Sequence, residues 1–135
     1  MIASQRFEHR AVAAGLTEPL IRKVIDSFYE KVRRDEVLGP VFNDAIGDHW
    51  EAHIERIVLF WLTVTQLGTG YQSRNFMPAH LHNKAIRAEL LPRWLKLFRE
   101  TVGAECSPQA AAVLVDIAAR MAESLNISLE KRDRT

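Results

Sequence analysis

The sequence has little of several features that mark common classes of protein. Its single cysteine, Cys106, excludes an internal disulfide framework. No apolar run approaches the roughly 20 residues that span a bilayer, and the start "MIASQRFEHR" lacks the apolar segment of a signal peptide. The 18 basic and 17 acidic residues nearly cancel, and the basic ones are scattered. We therefore expect a cytoplasmic protein that binds neither membranes nor nucleic acids.

The periodicity of the apolar residues indicates an all-α fold. These residues recur at spacings of three and four, and the two-residue alternation of a half-buried strand is missing. A chain of 135 residues that is 47% hydrophobic can enclose a core and a modest pocket. The sequence therefore predicts one helical domain over residues 1–135.

Capping residues divide the first half of the chain. Thr17 is a good N-cap, and Pro19 is tolerated in the first turn that follows it. An apolar stripe then predicts a helix to about Arg34, and we expect Gly39-Pro40 to stop it from continuing. A second long helix should start near Asp48, which is a capping residue type.

The second half of the chain contains a loop and two further helices. Residues 67–83 hold two glycines and a proline, which predicts a loop with one helical turn around its histidines. A third helix is expected over 88–102. Ser107-Pro108 is a good start for a fourth and longer helix, whereas the charged end "EKRDRT", residues 130–135, should fray.

Five histidines are the first candidates for chemistry. His9 lies in a polar start and is best explained as a surface residue. His49 and His53 are four apart on one predicted helix face, a spacing that can chelate a transition metal. Alternatively, His53 only borders the polar edge of an amphipathic helix. His80 and His82 lie in the loop, and at most one of them easily faces a given pocket.

Two aromatic residues with polar atoms strengthen the case that these histidines belong to a functional site. Tyr29 follows Phe28 on an apolar helix, and Trp94 lies on the third helix. Either one alone would normally be a large core residue with one donor to satisfy. Together with His53 and His80, they indicate a cavity that has one imidazole on one side and three hydrogen-bond donors on the other. Such an arrangement suits haem.

Four segments of this sequence carry a family resemblance. The chain resembles group III truncated haemoglobins over roughly residues 18–125, and the resemblance rests on "FYEKVRRDEVLGPVFNDAIG" (28–47), "HWEAHIERIVLFW" (49–61), "AHL" (79–81) and "RWLKLF" (93–98). It implies a truncated globin fold, a shortened helical sandwich around haem b.

The resemblance also implies the iron ligand. His80 would be the proximal ligand, because it is the histidine of "AHL" and stands fourteen residues before Trp94 of "RWLKLF". The loop lacks the prolines that relatives carry soon after the ligand, so His82 remains an alternative.

The distal side follows from the same resemblance. Tyr29, His53 and Trp94 would face the sixth coordination site of the iron, with Ile57 one turn after His53. Phe42 matches the phenylalanine that packs against the haem ring in globins.

The chemistry of such a site can be argued from the residue types. An iron held by one imidazole keeps an open axial position for a diatomic gas, which phenol, imidazole and indole donors would retain. An apolar shell of Phe42, Ile57, Phe60 and Phe98 would exclude water and slow autoxidation. Arg56, at the rim end of its helix, either pairs with a haem propionate or is a solvated surface residue.

These features predict a protein that binds dioxygen, nitric oxide and carbon monoxide. The family resemblance implies oxygen binding and oxygen transport. The donor-rich pocket favours dioxygen, nitric oxide or peroxide chemistry over oxygen storage, such as nitric oxide dioxygenase or peroxidase-like activity supplied by an unidentified electron donor or reductase.

Two alternatives belong to other classes. One is a non-haem metal protein that uses His49 and His53, with His82 and Asp48 or Glu51 as further ligands. The other is a metal-free helical interaction domain in which all the aromatic residues are core.

Overall fold

The computed structural model describes residues 11–65, 67 and 80–134, and every regular element in these ranges is helical. The all-α prediction is therefore confirmed. The main helices are α1 (Glu18–Arg34), α2 (Leu38–Ile46), α3 (Trp50–Val64), α4 (Leu91–Glu105) and α5 (Pro108–Arg134), with a 3₁₀ turn at Ala88–Leu90. Within the same ranges, no helix is long and apolar enough to cross a membrane.

Helix α1 begins as the capping pattern predicts. The Thr17 hydroxyl accepts a hydrogen bond from the backbone N–H of Leu20 at 3.4 Å, and Pro19 lies in the first turn. The helix ends at Arg34. Burial of its stripe of apolar residues, Ile21, Val24, Ile25, Phe28 and Val32, then fixes which face of α1 looks inward.

The role that we expected of Gly39-Pro40 is wrong. Both residues lie inside α2, where Pro40 is tolerated because it stands in the first turn. Asp35 marks the boundary instead, with an extended backbone and a carboxylate that accepts the N–H groups of Val37 at 3.0 Å and Leu38 at 2.8 Å. By accepting these N–H groups, the Asp35 carboxylate stabilises the beginning of α2 directly after the end of α1.

Asp35 also ties this junction to a distant helix. Its two carboxylate oxygens accept hydrogen bonds from Arg93 of α4 at 2.8 and 3.0 Å. The Arg93 guanidinium, aided by the N–H groups of Leu38 and Val37, holds the pKa of this carboxyl below its usual range. One acidic side chain therefore connects α1, α2 and α4.

The other helix boundaries differ modestly from those that the sequence predicts. Helix α3 starts at Trp50 with His49 as its N-cap, so Asp48 is not the cap. Residues 88–90 form the 3₁₀ turn, and α4 runs from Leu91 to Glu105, which leaves Pro92 in its first turn. The Ser107 cap is confirmed, since its hydroxyl accepts the N–H of Ala110 at 3.2 Å.

Two expectations concern the loop and the C-terminal end. Residues 80–82 are helical, as the expected helical turn requires, whereas residues 68–79 lie outside the described ones. Helix α5 continues to Arg134, so the prediction that the end frays is wrong for residues 130–134. Arg132 explains the difference, because its side chain is held by backbone carbonyls far away in the sequence.

An aromatic cluster joins α1 to α4 at the centre of the core. Phe28 is fully buried, and its ring meets those of Trp94 and Phe98 edge-on at 5.5 and 5.1 Å. Helix α1 packs on α2, α3 and α4, and α4 packs on α5. Burying a phenylalanine in this way stabilises a domain by about 3–5 kcal/mol relative to alanine.

The turn between α1 and α2 brings two backbone segments very close together. Gly39 is buried, and a Cβ atom built on it would lie 2.7 Å from the carbonyl oxygen of Arg33. That oxygen belongs to the backbone and cannot move as the end of a flexible side chain could. Gly39 is therefore required by close approach, although its φ is not in the left-handed region.

We predict that Gly39→Ala lowers the free energy of unfolding by about 1–3 kcal/mol, the usual cost of an overpacked position. Gly103→Ala is the matched control, because Gly103 lies in α4 and an added Cβ would meet nothing within 4 Å. That substitution should raise stability by about 0.5–1 kcal/mol. Urea unfolding measures both, and a Gly39→Ala variant as stable as the parent would contradict the close approach.

Candidate functional site

A cavity of about 270 Å³ opens beside the aromatic cluster. Helices α1, α2, α3, α4 and α5 all contribute to it, together with residues 80–90. Most of its wall is apolar and comes from Leu38, Phe42, Ile57, Phe60, Trp61, Ile86, Leu90, Leu91, Met121, Ala122 and Leu125. The polar groups in the wall are few, as in ligand cavities generally, and each can be followed separately.

Tyr29 and Trp94 lie close together in the cavity wall. Helix α1 places Tyr29 directly after the core residue Phe28, and α4 supplies Trp94. The indole N–H of Trp94 is the group that acts on the phenol oxygen from nearby, since indole can donate and has no acceptor. Burial raises the pKa of Tyr29 to about 12, and the nearby indole of Trp94 opposes only part of that effect. The phenol is therefore protonated near neutral pH and keeps its own hydrogen to donate.

His53 reaches the cavity from α3. Its ring meets Trp50 edge-on at 6.2 Å, and the Trp50 indole is itself held by the side-chain carbonyl of Asn43 at 3.1 Å. Burial, followed by the charges of Arg56 and His80, lowers the pKa of His53. A neutral imidazole offers one donor and one acceptor.

His80 and His82 differ in where their side chains lie. Both belong to the helical turn at residues 80–82, but His80 is half-buried and lines the cavity, whereas His82 is exposed. Two residues separated by two positions on a helical turn point in different directions, as expected from the sequence. The geometry is therefore compatible with His80, and not with His82, as a group that acts in the cavity.

The metal site suggested by His49 and His53 does not form. His49 precedes α3, its side chain is 83% exposed, and it lies 3.5 Å from the carboxylate of Asp48. His53 points into the cavity instead. Across residues 11–65, 67 and 80–134, no three His, Cys, Asp or Glu side chains are grouped as a metal site would need.

Two arginines give the mouth of the cavity a positive charge. Arg56 on α3 and Arg87 before the 3₁₀ turn both line it, and both are exposed. Arg87 also pairs with Glu89 at 2.8 Å. Arg56 can thus meet an anionic group that reaches the mouth from within, whereas Arg87 can do so only by sharing its guanidinium with Glu89.

Comparison with known proteins relates the chain to one family. It is 33% identical over 119 residues to a curated protein from Campylobacter jejuni, group 3 truncated hemoglobin ctb, covering 86% of this chain and 93% of the relative. The chain belongs to the group III truncated haemoglobins. A crystal structure of a group III truncated hemoglobin from the same organism superposes with a TM-score of 0.79 at 31% identity, covering 84% of this chain and 91% of that one. A scan against protein-family models found no match.

The resemblance and the truncated globin fold predicted from the sequence are therefore confirmed. The cavity of this truncated haemoglobin brings together eight of the residues that the sequence analysis selected, namely Tyr29, Phe42, His53, Arg56, Ile57, Phe60, His80 and Trp94. Their roles toward a cofactor stay predictions.

Phe98 does not line the cavity. It is 1% exposed and lies behind the wall, with its ring stacked on Trp94 at 5.7 Å and on Trp61 at 5.3 Å. The apolar spacing of α4 placed it on the inward face, but that face is shared between cavity and core. Phe98 therefore supports Trp94 from behind.

The sequence analysis missed several residues that line the cavity. No sequence pattern indicated that Arg87 lines the cavity, because it follows a loop whose path the sequence does not define. Met121 and Leu125 line the cavity from α5, for which the sequence analysis predicted a long helix but no part in the site. Periodicity identifies an inward face, and only the packing of the neighbouring helices decides which part of that face meets a cavity.

The raised pKa of Tyr29 predicts a change in stability at alkaline pH. The folded state keeps a phenol proton that the unfolded state loses near pH 10, so the contribution of Tyr29 is complete below pH 10 and is lost as the pH rises toward 12. The advantage of the parent protein over Tyr29→Phe should therefore shrink by up to about 1.4 kcal/mol per pH unit in this window. Urea unfolding between pH 8 and 11 measures it, and parallel pH profiles would contradict it.

Proposed function

We propose that this truncated haemoglobin binds haem b in the cavity, with His80 as the proximal iron ligand, and binds diatomic gases on the opposite side. The observation that carries the proposal is the meeting of His80 with Tyr29, His53 and Trp94 in one largely apolar cavity. The relative from Campylobacter jejuni, whose name says hemoglobin, supports the same cofactor.

The residues of the cavity fit haem in three respects. The imidazole of His80 is a suitable iron ligand, and the apolar wall, including Phe42 and Phe60, suits the faces of the porphyrin. Arg56 and Arg87 at the mouth would hold the propionates by charge-assisted hydrogen bonds. Cys106, the chain's single cysteine, is absent from the lining, and a c-type attachment needs two. Non-covalent haem b is the form that these residues suit.

When bound, haem would supply an iron that can bind a diatomic gas. Tyr29 would be the main donor to such a gas, because the nearby indole N–H of Trp94 can donate to its oxygen and leaves the phenol hydrogen for the cavity. A chain of two hydrogen bonds strengthens the terminal donor. In this arrangement Trp94 would act through Tyr29.

His53 provides a second polar group on the same side. Its lowered pKa keeps it neutral, so it brings no charge into the apolar space. The edge contact with Trp50 restrains the ring beside the cavity mouth. We assign His53 to ligand donation and to gating of entry, with Ile57 one turn further along α3 as the adjacent apolar wall.

The distal donors favour retention of the gas over rapid release. Neutral hydrogen bonds contribute about 0.5–1.5 kcal/mol each, which corresponds to about a twofold to tenfold slower escape. A site that retains its ligand is better suited to dioxygen, nitric oxide or peroxide chemistry than to oxygen storage. That chemistry, whether nitric oxide dioxygenation or a peroxidase-like reaction, needs an electron donor or a reductase, which we include in the proposal as a partner.

The assignment of the iron ligand gives the first test of this function. The purified protein should show an intense Soret band that shifts when carbon monoxide is added to the ferrous form. His80→Ala should lose haem or show a spectrum restored by added imidazole, because the small ligand can occupy the space of the deleted ring.

His82→Ala is the matched control for this test. Its side chain is exposed on the same helical turn, so the spectrum should be unchanged. Loss of haem from His82→Ala, with His80→Ala unaffected, would move the ligand to His82. A parent protein without a Soret band after haem is supplied would reject the haem proposal.

The proposed pairing of Trp94 with Tyr29 gives a second test. Tyr29→Phe should raise the dioxygen dissociation rate about twofold to tenfold, since the main donor is lost. Trp94→Phe alone should have a smaller effect, because Tyr29 still donates. In the Tyr29→Phe background, however, the freed indole N–H can turn to the ligand and becomes the remaining donor of the pair.

The double variant should therefore dissociate dioxygen faster than the product of the two single effects predicts. Stopped-flow measurements on the four proteins test this. Strictly multiplicative effects would show that the two residues act independently, and unchanged rates in both single variants would show that they are ordinary core residues.

A further inference from the structure

Arg132 connects the C-terminal helix to the segment that carries His80. One guanidinium nitrogen donates to the carbonyl oxygens of Leu81 at 3.1 Å and Asn83 at 3.2 Å, and the other donates to the carbonyl of Ile86 at 2.8 Å. The side chain is only 11% exposed. A single residue near the end of α5 thus binds three backbone groups about 50 positions earlier in the sequence.

The chemistry of these carbonyls explains why an arginine is suitable here. The helical turn at residues 80–82 ends immediately afterwards, so its last carbonyls have no partners within the helix. A cation at a helix C-terminus is favourable, and the planar guanidinium can bind several acceptors in fixed directions. Its remaining face pairs with Asp133 at 2.7 and 3.2 Å. A lysine ammonium would supply the charge without this fork of donors.

The anchored segment contains three groups that face the cavity. His80 directly precedes Leu81, whose carbonyl Arg132 binds, and Ile86 and Arg87 line the cavity at the other end of the segment. Between these ends the backbone makes short turns, with the N–H of Ile86 bonded to the carbonyl of Asn83 at 3.0 Å. Little regular structure holds this part of the chain, which makes an outside anchor important.

We infer that Arg132 is a positioning residue for the proximal ligand, fixing the backbone that sets the orientation of His80 and of Arg87. The inference rests on the proposed binding of haem through His80. Groups that orient a metal ligand from behind typically change metal affinity or activity by 10-fold to 100-fold when they are removed. Arg132 would act in this way through the backbone, without touching the iron or the gas.

The haem-containing protein allows a direct test with Arg132→Ala and Arg132→Lys. In the ferrous form, resonance Raman spectroscopy should show a shifted or broadened iron–histidine stretching band in both variants. Loss of haem to an excess of a scavenging apoprotein should be about 10-fold to 100-fold faster for Arg132→Ala. The rate of haem loss from Arg132→Lys should lie between those of the parent and of Arg132→Ala. This variant also keeps the test decisive if the alanine variant does not fold.

Arg134→Ala is the matched control, since Arg134 is an exposed cation in the same last turn of α5. It should leave the Raman band and the rate of haem loss unchanged. Backbone amide exchange at Ile86 should quicken in the Arg132 variants and stay unchanged in Arg134→Ala, a readout that needs no gas ligand.

Two outcomes would overturn the inference. A lower unfolding temperature with an unchanged iron–histidine band and unchanged haem loss would show that Arg132 serves stability alone. Equal effects of Arg132→Ala and Arg134→Ala would show that only the charge of the helix end matters. A parent protein that binds no haem would instead reject the proposed function, and the inference with it.

Discussion

The contact between α1 and α4 through Phe28 is the one on which the rest of the structure depends. Phe28 is fully buried and lies edge-on to both Trp94 and Phe98. Since Tyr29 is the next residue on α1 and Trp94 belongs to α4, the same contact brings the phenol oxygen within reach of the indole N–H. The core and the polar side of the cavity are therefore set by a single packing arrangement, and a change in either helix would disturb both.

The polar groups inside the cavity are neutral, whereas the permanent charges lie at its exposed mouth. Tyr29 has a raised pKa and His53 a lowered one, and in both cases burial is the leading cause, so both groups are neutral inside the cavity near neutral pH. The permanent charges, on Arg56 and Arg87, stand at the exposed mouth. An apolar ring with anionic substituents at one edge matches this distribution. Neutral donors inside also avoid the cost of burying an unpaired charge next to a small uncharged gas.

Local chemistry explains which parts of the fold could be predicted from the sequence. The starts of α1 and α5 depend on Thr17, Pro19, Ser107 and Pro108, which act on neighbouring N–H groups, and both starts are confirmed. The junction after α1 was mispredicted because Asp35, rather than Gly39-Pro40, defines it. Gly39 was read as a helix breaker, but it is needed because two backbone segments meet, and sequence periodicity contains no information about such an approach.

The residues of the candidate site also fall into two groups, those that local sequence patterns predict and those that they do not. Tyr29, His53 and Trp94 lie on long helices, where spacing predicts the direction of a side chain, and all three line the cavity. Phe98 shows the limit of that method, because one inward face serves both core and cavity. The segment from His80 to Arg87 has only short turns, so its position depends on partners from elsewhere in the chain.

Arg132 illustrates why such partners escape prediction. It lies in a highly charged end, "EKRDRT", whose composition is typical of a solvated or frayed terminus. What holds this end is a set of carbonyl groups that lie about 50 positions earlier in the sequence. The backbone that positions the proposed iron ligand and the last turn of α5 therefore stabilise each other, since each supplies the polar partners that the other lacks within its own element. The proposed iron ligand, His80, directly precedes a segment of short turns, and Arg132 anchors that segment from a remote part of the chain.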